Sequence, residues 1–413
     1  MALNYIWISF FLLAFVVATI KLIVEGNTEI FKTVVDGVFD SSKTGVDISI
    51  GLIGVMSLFL GFMNVGEKAG AIGFLSRIVG PFFSRLFPEL PKNHPAMGHM
   101  MMNFSANLLG LDNAATPFGL KAMQSLQEVN PDKDRASNPQ IMFMVLHASG
   151  LTLIPVSIIA MRVIAKSNDP TSIFVPCMIA TFIATITAMI VVAIKQRINL
   201  FNPVIILWVG GITFLLALLI FYMRYYLTKE GVGSFSRIIS NGLIMFIFFV
   251  FIVAGLRKKV NVFDTFIEGA KQGFEVAVKI IPYLVGMLVA ISVLRTSGVF
   301  DSIIQGMSWF FAKLGFNTDF VPALPVALMK PLSGGGARGL MVDIIRPENY
   351  GPDSFVGQLA CIFNGTADTT FYIVALYFGS VGIKNTRYAV PAALIADFVG
   401  IIASISLAYF FFH

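Results

Sequence analysis

Long apolar runs separated by short polar turns dominate the chain. A membrane-crossing helix needs about 20 mostly apolar residues. Runs of that kind lie at 4–24, 46–66, 140–165, 173–194, 202–223, 237–256, 274–294 and 386–411, and each is read as a spanning helix. Between them lie stretches that are apolar but interrupted: 71–88, 95–126, 299–315, 319–346 and 354–381. Pro81, Pro88, Pro91, Pro95 and Pro117 punctuate the first group, and Pro322, Pro325, Pro331, Pro347 and Pro352 the second. The run Glu128–Asn138 is a polar loop that reads as lying outside the hydrocarbon. Stretches about 25–45 and 257–272 read as further connecting loops.

The sharpest interruption runs from Met329 to Asp368. It begins Lys330-Pro331-Leu332-Ser333-Gly334-Gly335-Gly336-Ala337-Arg338 and resumes at Asn364-Gly365-Thr366-Ala367-Asp368-Thr369-Thr370. Pro and three consecutive Gly break a regular helix. Non-helical backbone at membrane depth is tolerated where it is buried in protein or lines a wet cavity, and interrupted helices are how secondary transporters build a midplane site. The competing reading is a Gly-rich turn in an extramembrane loop.

The pattern also repeats. Ser41–Gly70 aligns without a gap on Gly269–Gly298, matching Lys43 with Lys271, Gly45 with Gly273, Asp47 with Glu275 and Gly70 with Gly298. After a one-residue shift, Pro95-Ala96 falls on Pro322-Ala323 and Met102-Asn103 on Met329-Lys330. The run Val145–Thr152 takes the place of Asn364–Thr370, and Val175-Pro176 that of Val390-Pro391. Matched interruptions in two halves point to a transport site. Arg257, Lys258 and Lys259 share a side with Lys195 and Arg197, which the positive-inside bias makes cytoplasmic. With 202–223 as an extra crossing, the second half is inverted relative to the first, although Arg224, Lys229 and Arg237 then fall outside. The expected fold class is an all-α polytopic membrane protein. Two inverted-topology repeats carry broken, re-entrant helices that meet near the membrane midplane.

Composition agrees. Of 413 residues, 56% are hydrophobic and 13% charged, against about 45–50% and 25% in soluble domains; mean hydropathy is +0.82. The net charge of +6 reflects basic residues near segment ends, which lipid and the positive-inside bias explain without nucleic acid. Cys177 and Cys361 lie in apolar runs and read as buried small hydrophobes. The N-terminus lacks a basic region and cleavage site, so 4–24 reads as a retained span. Four His and two Cys without paired spacing give no metal signature, and no cofactor is expected. Gly334-Gly335-Gly336 lacks the Gly-Lys-Ser/Thr ending of a phosphate loop, and no nucleophile elbow occurs. An enzyme is not expected.

Two motifs carry a family resemblance. The run from Asn107 to Met123, with Gly110-Leu111-Asp112-Asn113-Ala114-Ala115-Thr116-Pro117 at its centre, resembles the spore maturation protein A family. Lys330–Ala337 together with Asn364–Tyr372 resembles spore maturation protein B. The chain looks like a fusion of the two over nearly its whole length. The resemblance implies residues 1–198 as an A-like half, 199–235 as a linking transmembrane segment and 236–413 as a B-like half. Both families carry the nucleoside recognition, or Gate, domain, shared with concentrative nucleoside transporters and the membrane part of ferrous iron transport protein B. The separate proteins are linked to spore core dehydration. A multi-pass protein of the bacterial inner membrane with a transport or gating role is what the resemblance implies.

The candidate residues follow from the interruptions. Lys330 and Arg338 flank Ser333, Gly334 and Gly335; they suit an anionic group aided by freed backbone N–H groups, or they snorkel to headgroups. Asp112 with Asn113, and Asp368 with Asn364, suit a cation, a proton or a sugar hydroxyl, or they cap helices. Asn103, Asn107, Thr152, Thr366, Thr369 and Thr370 add polar groups at membrane depth, where such side chains often only join helices. His147 is a candidate proton carrier or a hydrogen-bonded packing residue. Glu67, Lys68 and Arg295 read as interfacial anchors. The first functional expectation is alternating-access transport of a small polar or anionic solute, nucleoside-like, through a cavity between the two sets. Membrane lipid, a coupling cation or proton and a homodimer are its partners. The second is a gating or scaffold protein that acts on a partner and moves nothing itself.

Overall fold

The computed structural model describes residues 2–91, 94–109 and 112–413, with the side chains of 2–3, 112–114 and 229–230 outside that description. Helices in chain order are α1 (Ala2–Val24), α2 (Ile30–Lys68), α3 (Ala71–Leu86), α4 (Pro95–Leu108), α5 (Asp112–Glu128), α6 (Asn138–Ala148), α7 (Val156–Ile164) and α8 (Phe174–Gln196). Then α9 (Pro203–Ile205) passes through a π-helical turn, Ile206–Gly210, into α10 (Gly211–Tyr226). There follow α11 (Lys229–Arg257), α12 (Val262–Ser297), α13 (Val299–Lys313), α14 (Leu324–Met329, led by the 3-10 turn Val321–Ala323), α15 (Gly334–Ile345), α16 (Phe355–Gly365), α17 (Thr370–Ser380) and α18 (Ala389–Phe412). Among the described residues there is no strand, only an isolated bridge between Arg135 and Asn385. The chain is an all-helical, multi-pass membrane protein, and among the described residues eight helical segments are long and apolar enough to cross a membrane.

The order α1–α8 recurs as α11–α18, with α9 and α10 between them. Matching detail accompanies it. Gly70 and Gly298 precede α3 and α13 with φ of +88° and +87°, a left-handed backbone that glycine adopts at least cost. A Cβ on Gly298 would lie 2.5 Å from Lys21 Nζ, and one on Gly70 would lie 2.5 Å from Lys258 Nζ. In each case a lysine from the end of a first helix reaches the C-terminus of a long one, where the helix dipole favours a cation.

Three expectations need correction. The stretches 25–45 and 257–272 are mostly the opening turns of α2 and α12, which have 39 and 36 residues. At 1.5 Å per residue each is over about 50 Å long, beyond a hydrocarbon core of about 30 Å. Their polar first turns are helix continued outside the apolar layer. The run 140–165 is not one span: α6 stops at Ala148 and α7 starts at Val156. Gly150, at φ +63°, ends the first piece, and Pro155 precedes the second. Arg295 is not an interfacial anchor. It forms an ion pair with the buried Asp343 and lies 4.7 Å over the Phe300 ring.

The chain divides into two compact units. One comprises Met1–Leu58, Ser157–Pro170 and Lys271–Asn364; the other comprises Phe59–Val156, Thr171–Ala270 and Gly365–His413. Each unit draws on both halves of the repeat. The first takes α1, most of α2, α7 and α12, then α13 to α16, while the second takes α3–α6, α8–α11, α17 and α18.

Within the first unit α2 and α12 run antiparallel in close contact. A Cβ on Gly45 would lie 3.1 Å from Val285 Cα, and one on Gly273 would lie 2.6 Å from Ser57 Cα. The repeat maps Gly45 on Gly273 and Ser57 on Val285, so the two contacts are reciprocal. Trp7 Nε1 on α1 donates to Gly286 O at 2.9 Å. Arg162 of α7 is fully buried. It donates to the carbonyls of Pro170 and Asp169, to Ser167 Oγ, to Pro352 O and to Asp353 Oδ1. All three guanidinium nitrogens are thereby used, which is what makes a buried arginine tolerable.

The second unit packs Phe83, Leu86, Met100, Met123, Ile141 and Phe378 into one apolar core. α6 begins with a capping box: Ser137 and Gln140 satisfy each other's backbone N–H groups. The Gln140 amide extends this to Gln127 and Asn130, which anchor the polar loop. Gly400 on α18 permits close approach, since a Cβ there would lie 3.3 Å from Ala184 Cβ on α8.

Candidate functional site

In the second unit α4 and the end of α6 meet the break before α17. Asn103 on α4 is 1% exposed. Its Nδ2 donates to Ala115 O at 2.6 Å and to the Tyr377 hydroxyl at 3.3 Å, while its Oδ1 lies 2.9 Å from His147 Nδ1. The Tyr377 hydroxyl lies 3.3 Å from His147 Nε2 and 3.4 Å from Nδ1. Asp368 Oδ2 lies 3.8 Å from His147 Nε2; the carboxylate is 41% exposed and the imidazole 6%. The backbone holds this arrangement, because Asp368 N donates to Ala148 O at 3.0 Å. Two glycines leave room for it. A Cβ on Gly150 would lie 2.9 Å from Asp368 N, and one on Gly119 would lie 2.1 Å from the Tyr377 hydroxyl.

The remaining polar residues of this unit form separate links. Thr370 donates to the buried Asp397 of α18 at 2.7 Å, and Thr366 bonds Ser404 at 2.8 Å. Thr369 is the N-cap residue of α17 and makes no side-chain cap bond. Asn107 is buried one turn beyond Asn103. Thr152 stays apart from the cluster. Its hydroxyl donates to Gly150 O at 3.0 Å, and it lines a cavity of about 250 Å³ walled by apolar residues such as Leu146, Phe182 and Trp208. The side chains of Asp112 and Asn113 lie outside the described residues.

In the first unit the corresponding breaks meet differently. α14 ends at Met329, and Ser333 Oγ accepts from Gly336 N at 3.0 Å, capping α15. Lys330 Nζ donates to Asn364 O at 2.6 Å. That carbonyl lies in the last turn of α16, where carbonyls lack helical partners and the dipole is negative. Lys330 therefore ties the break before α15 to the end of α16. Asn364 is 5% exposed and its Oδ1 has no hydrogen-bond partner among the described residues. A Cβ on Gly335 would meet nothing within 4 Å, leaving space beside the first turn of α15. Gly334 opens that helix and Arg338 is half-buried on it.

Reading the sequence missed four residues that the structure makes prominent: Tyr377, Asp397, Asp343 and Arg162. Three are lone charges inside apolar runs, Met161-Arg162-Val163, Val342-Asp343-Ile344 and Ala396-Asp397-Phe398. A charge at membrane depth demands a partner, and that signal was available. Tyr377 offered none. Among the described residues no three His, Cys, Asp or Glu side chains gather as a metal site.

Comparison with known proteins places the chain. The family model described as Gate, nucleoside recognition, matches residues 49–201 and 277–384. Spore maturation protein B of Bacillus subtilis is 43% identical over 174 residues, which is 42% of this chain and 95% of that protein. Spore maturation protein A of the same organism is 38% identical over 188 residues, 46% of this chain and 92% of that protein. Each relative thus corresponds to about half of this chain. No solved structure matches it. With the family model covering more than half of its length, in both parts of the repeat, the chain belongs to the Gate, nucleoside recognition, family.

Proposed function

We propose that this protein is a transporter of the bacterial inner membrane that moves a small polar or anionic solute, nucleoside-like in chemistry, by alternating access. The observation that carries the reading is a pair of polar bonds between elements that the repeat matches: the buried bond of Asn103 to His147 in one unit and the half-buried bond of Lys330 to Asn364 in the other. Polar groups at broken helices are the usual material of a transport site. The half-exposed Asp368, the unused Asn364 Oδ1 and the open first turn of α15 supply groups for hydroxyl or anionic functions. The reciprocal antiparallel contacts of α2 and α12 support an inverted repeat, the architecture that alternating access uses. The family description, nucleoside recognition, supports the solute class.

The test is uptake of radiolabelled uridine, adenosine and inorganic phosphate into vesicles holding the purified protein. Wild type is compared with Lys330→Ala and Asp368→Asn. Saturable uptake of one solute, lost in either variant with the fold intact, supports the proposal. No uptake of any solute, or uptake equal in all three proteins, overturns it.

A second reading is a gating or scaffold protein that acts on a membrane partner. It is favoured by the α9–α10 segment, of which only 6% of the apolar window is buried within the chain, and by α1, with 11%. These faces are covered by lipid or by another protein. Co-purification of a stoichiometric membrane partner after crosslinking from α10, with no solute uptake, would favour it.

A further inference from the structure

The His147 cluster holds a proton question that its geometry answers. Asn103 has one amide end 2.6 Å from Ala115 O. A backbone carbonyl only accepts, so that end is the NH₂ group and the other end is Oδ1. Oδ1 also only accepts, and it lies 2.9 Å from His147 Nδ1. Nδ1 therefore carries the proton. A neutral imidazole has one N–H, so Nε2 is a bare acceptor. It sits 3.8 Å from a second acceptor, Asp368 Oδ2, and 3.3 Å from the Tyr377 hydroxyl.

We propose that His147 Nε2 is a proton-binding site read out by two partners, Tyr377 when the ring is neutral and Asp368 when it is charged. In the neutral state the Tyr377 O–H donates to Nε2. When a proton arrives past the half-exposed Asp368 carboxylate, it bonds to Nε2. The Tyr377 hydroxyl then turns away, and Nε2–H faces the carboxylate as an ion pair. One N–H bond forms, one positive charge is gained, and Nδ1–H to Asn103 is kept throughout.

Among the described residues, the elements around the ring also carry Tyr372 beside Tyr377 on α17 and His99 on α4, which pairs with Ser125. α4 presents Asn103 and Asn107, both amides. α8 carries no charged residue until Lys195 near its end. Asp397 of α18 accepts from Thr370, and α17 adds Tyr377. The side chain of Asp112 at the start of α5 is outside the described residues. Coupling of solute movement to protons rests on the proposed transport role, whereas the protonation itself does not.

The experiment is ¹⁵N NMR of the full-length protein in detergent, labelled at histidine and followed from pH 8 to pH 4. The chain has only four histidines, and His147→Gln assigns the signal. The expected result at pH 8 is a His147 ring protonated at Nδ1 with a lone-pair Nε2. Nε2 then becomes protonated on acidification, with Nδ1 unchanged. In Asp368→Asn the ratio of charged to neutral ring at any one pH falls by about tenfold or more, as expected for loss of an opposite charge at this range. A ring protonated at Nε2 at pH 8, no conversion by pH 4, or an unchanged ratio in Asp368→Asn would overturn the proposal. Unaltered signals from His94, His99 and His413 report that each variant is folded. Absent uptake of uridine, adenosine and phosphate alike, with this titration intact, would overturn the transport role alone.

Discussion

The two helix breaks that the repeat matches are closed by different chemistry. In the first unit the closing bond is cation to carbonyl, Lys330 to Asn364, on a scaffold that also holds Arg162 against Asp353 and Arg295 against Asp343. In the second unit it is amide to imidazole, Asn103 to His147, with Tyr377 and Asp368 around it. A lysine ammonium only donates, so its bond to that carbonyl has one form. An imidazole changes its hydrogen-bonding character with one proton. One unit is built as an electrostatic lock and the other as an adjustable contact, although their elements descend from the same pattern. The lesson is that a repeat conserves where the chain breaks and leaves open what the break does.

Substitutions can break this contrast, and their expected sizes order them. Arg162→Met should have the largest effect. It removes the cation from Asp353, which keeps only Ser167 Oγ and Asn168 N as donors, and strands the carbonyls of Pro170, Asp169 and Pro352 that the guanidinium now satisfies. Removing one partner of a buried ion pair costs about 3–5 kcal/mol. A steep fall in the detergent unfolding midpoint is expected, and a midpoint within a degree of wild type would refute the lock. Lys330→Met comes next. Loss of one charge-assisted hydrogen bond is worth about 1.5–3 kcal/mol, measurable by SDS-induced unfolding. Its counterpart Asn103→Leu should lower stability as well and, unlike Lys330→Met, change the His147 NMR signal.

Gly119→Ala should cost about 1–3 kcal/mol by overpacking, because its Cβ would press on the Tyr377 hydroxyl. The double variant with Tyr377→Phe should recover only part of that loss, since ring atoms Cζ and Cε1 would still lie 2.5 and 2.8 Å from that Cβ. Additive losses in a thermal double-mutant cycle would show that the clash lies elsewhere. The smallest effect belongs to Thr366→Val, which removes one bond to Ser404. Hydrogen bonds between helices in a membrane average about 0.6 kcal/mol. A loss several times larger, read from the same SDS titration, would mean that this link holds the break itself.

Much of the architecture was legible from the chain alone. Seven of the eight expected spans lie in helices of spanning length, and the polar loop 128–138 lies between α5 and α6. The eighth, 140–165, was misread because its apolar content hides Gly150 and Pro155, which end one helix and delay the next. The stretches expected as loops before α2 and α12 became helix. Polar residues at helical spacing need no hydrocarbon, and hydropathy alone cannot see them. Of the candidate site residues, Asn103, His147 and Asp368 share one cluster and Lys330 touches Asn364. Thr152 lies on an apolar cavity instead. Tyr377, the hydroxyl at the centre of the cluster, could not be picked from a sequence with ten tyrosines.

What the sequence determined by itself is what neighbouring residues decide: which stretches enter lipid, where Gly and Pro interrupt them, and that the order recurs. Those properties depend on local hydropathy and backbone geometry, and both can be read along the chain. Only the tertiary structure decided which interruption meets which. It divided the repeat so that α7 joins one unit and α17 the other, and it set Asn103 beside a residue 44 positions away. It also settled, through one carbonyl of Ala115, the nitrogen of His147 that bears the proton. Pairings of this kind arise from the packing of whole helices. Their selection depends on the shape of every side chain between them, and no local pattern in the sequence records it.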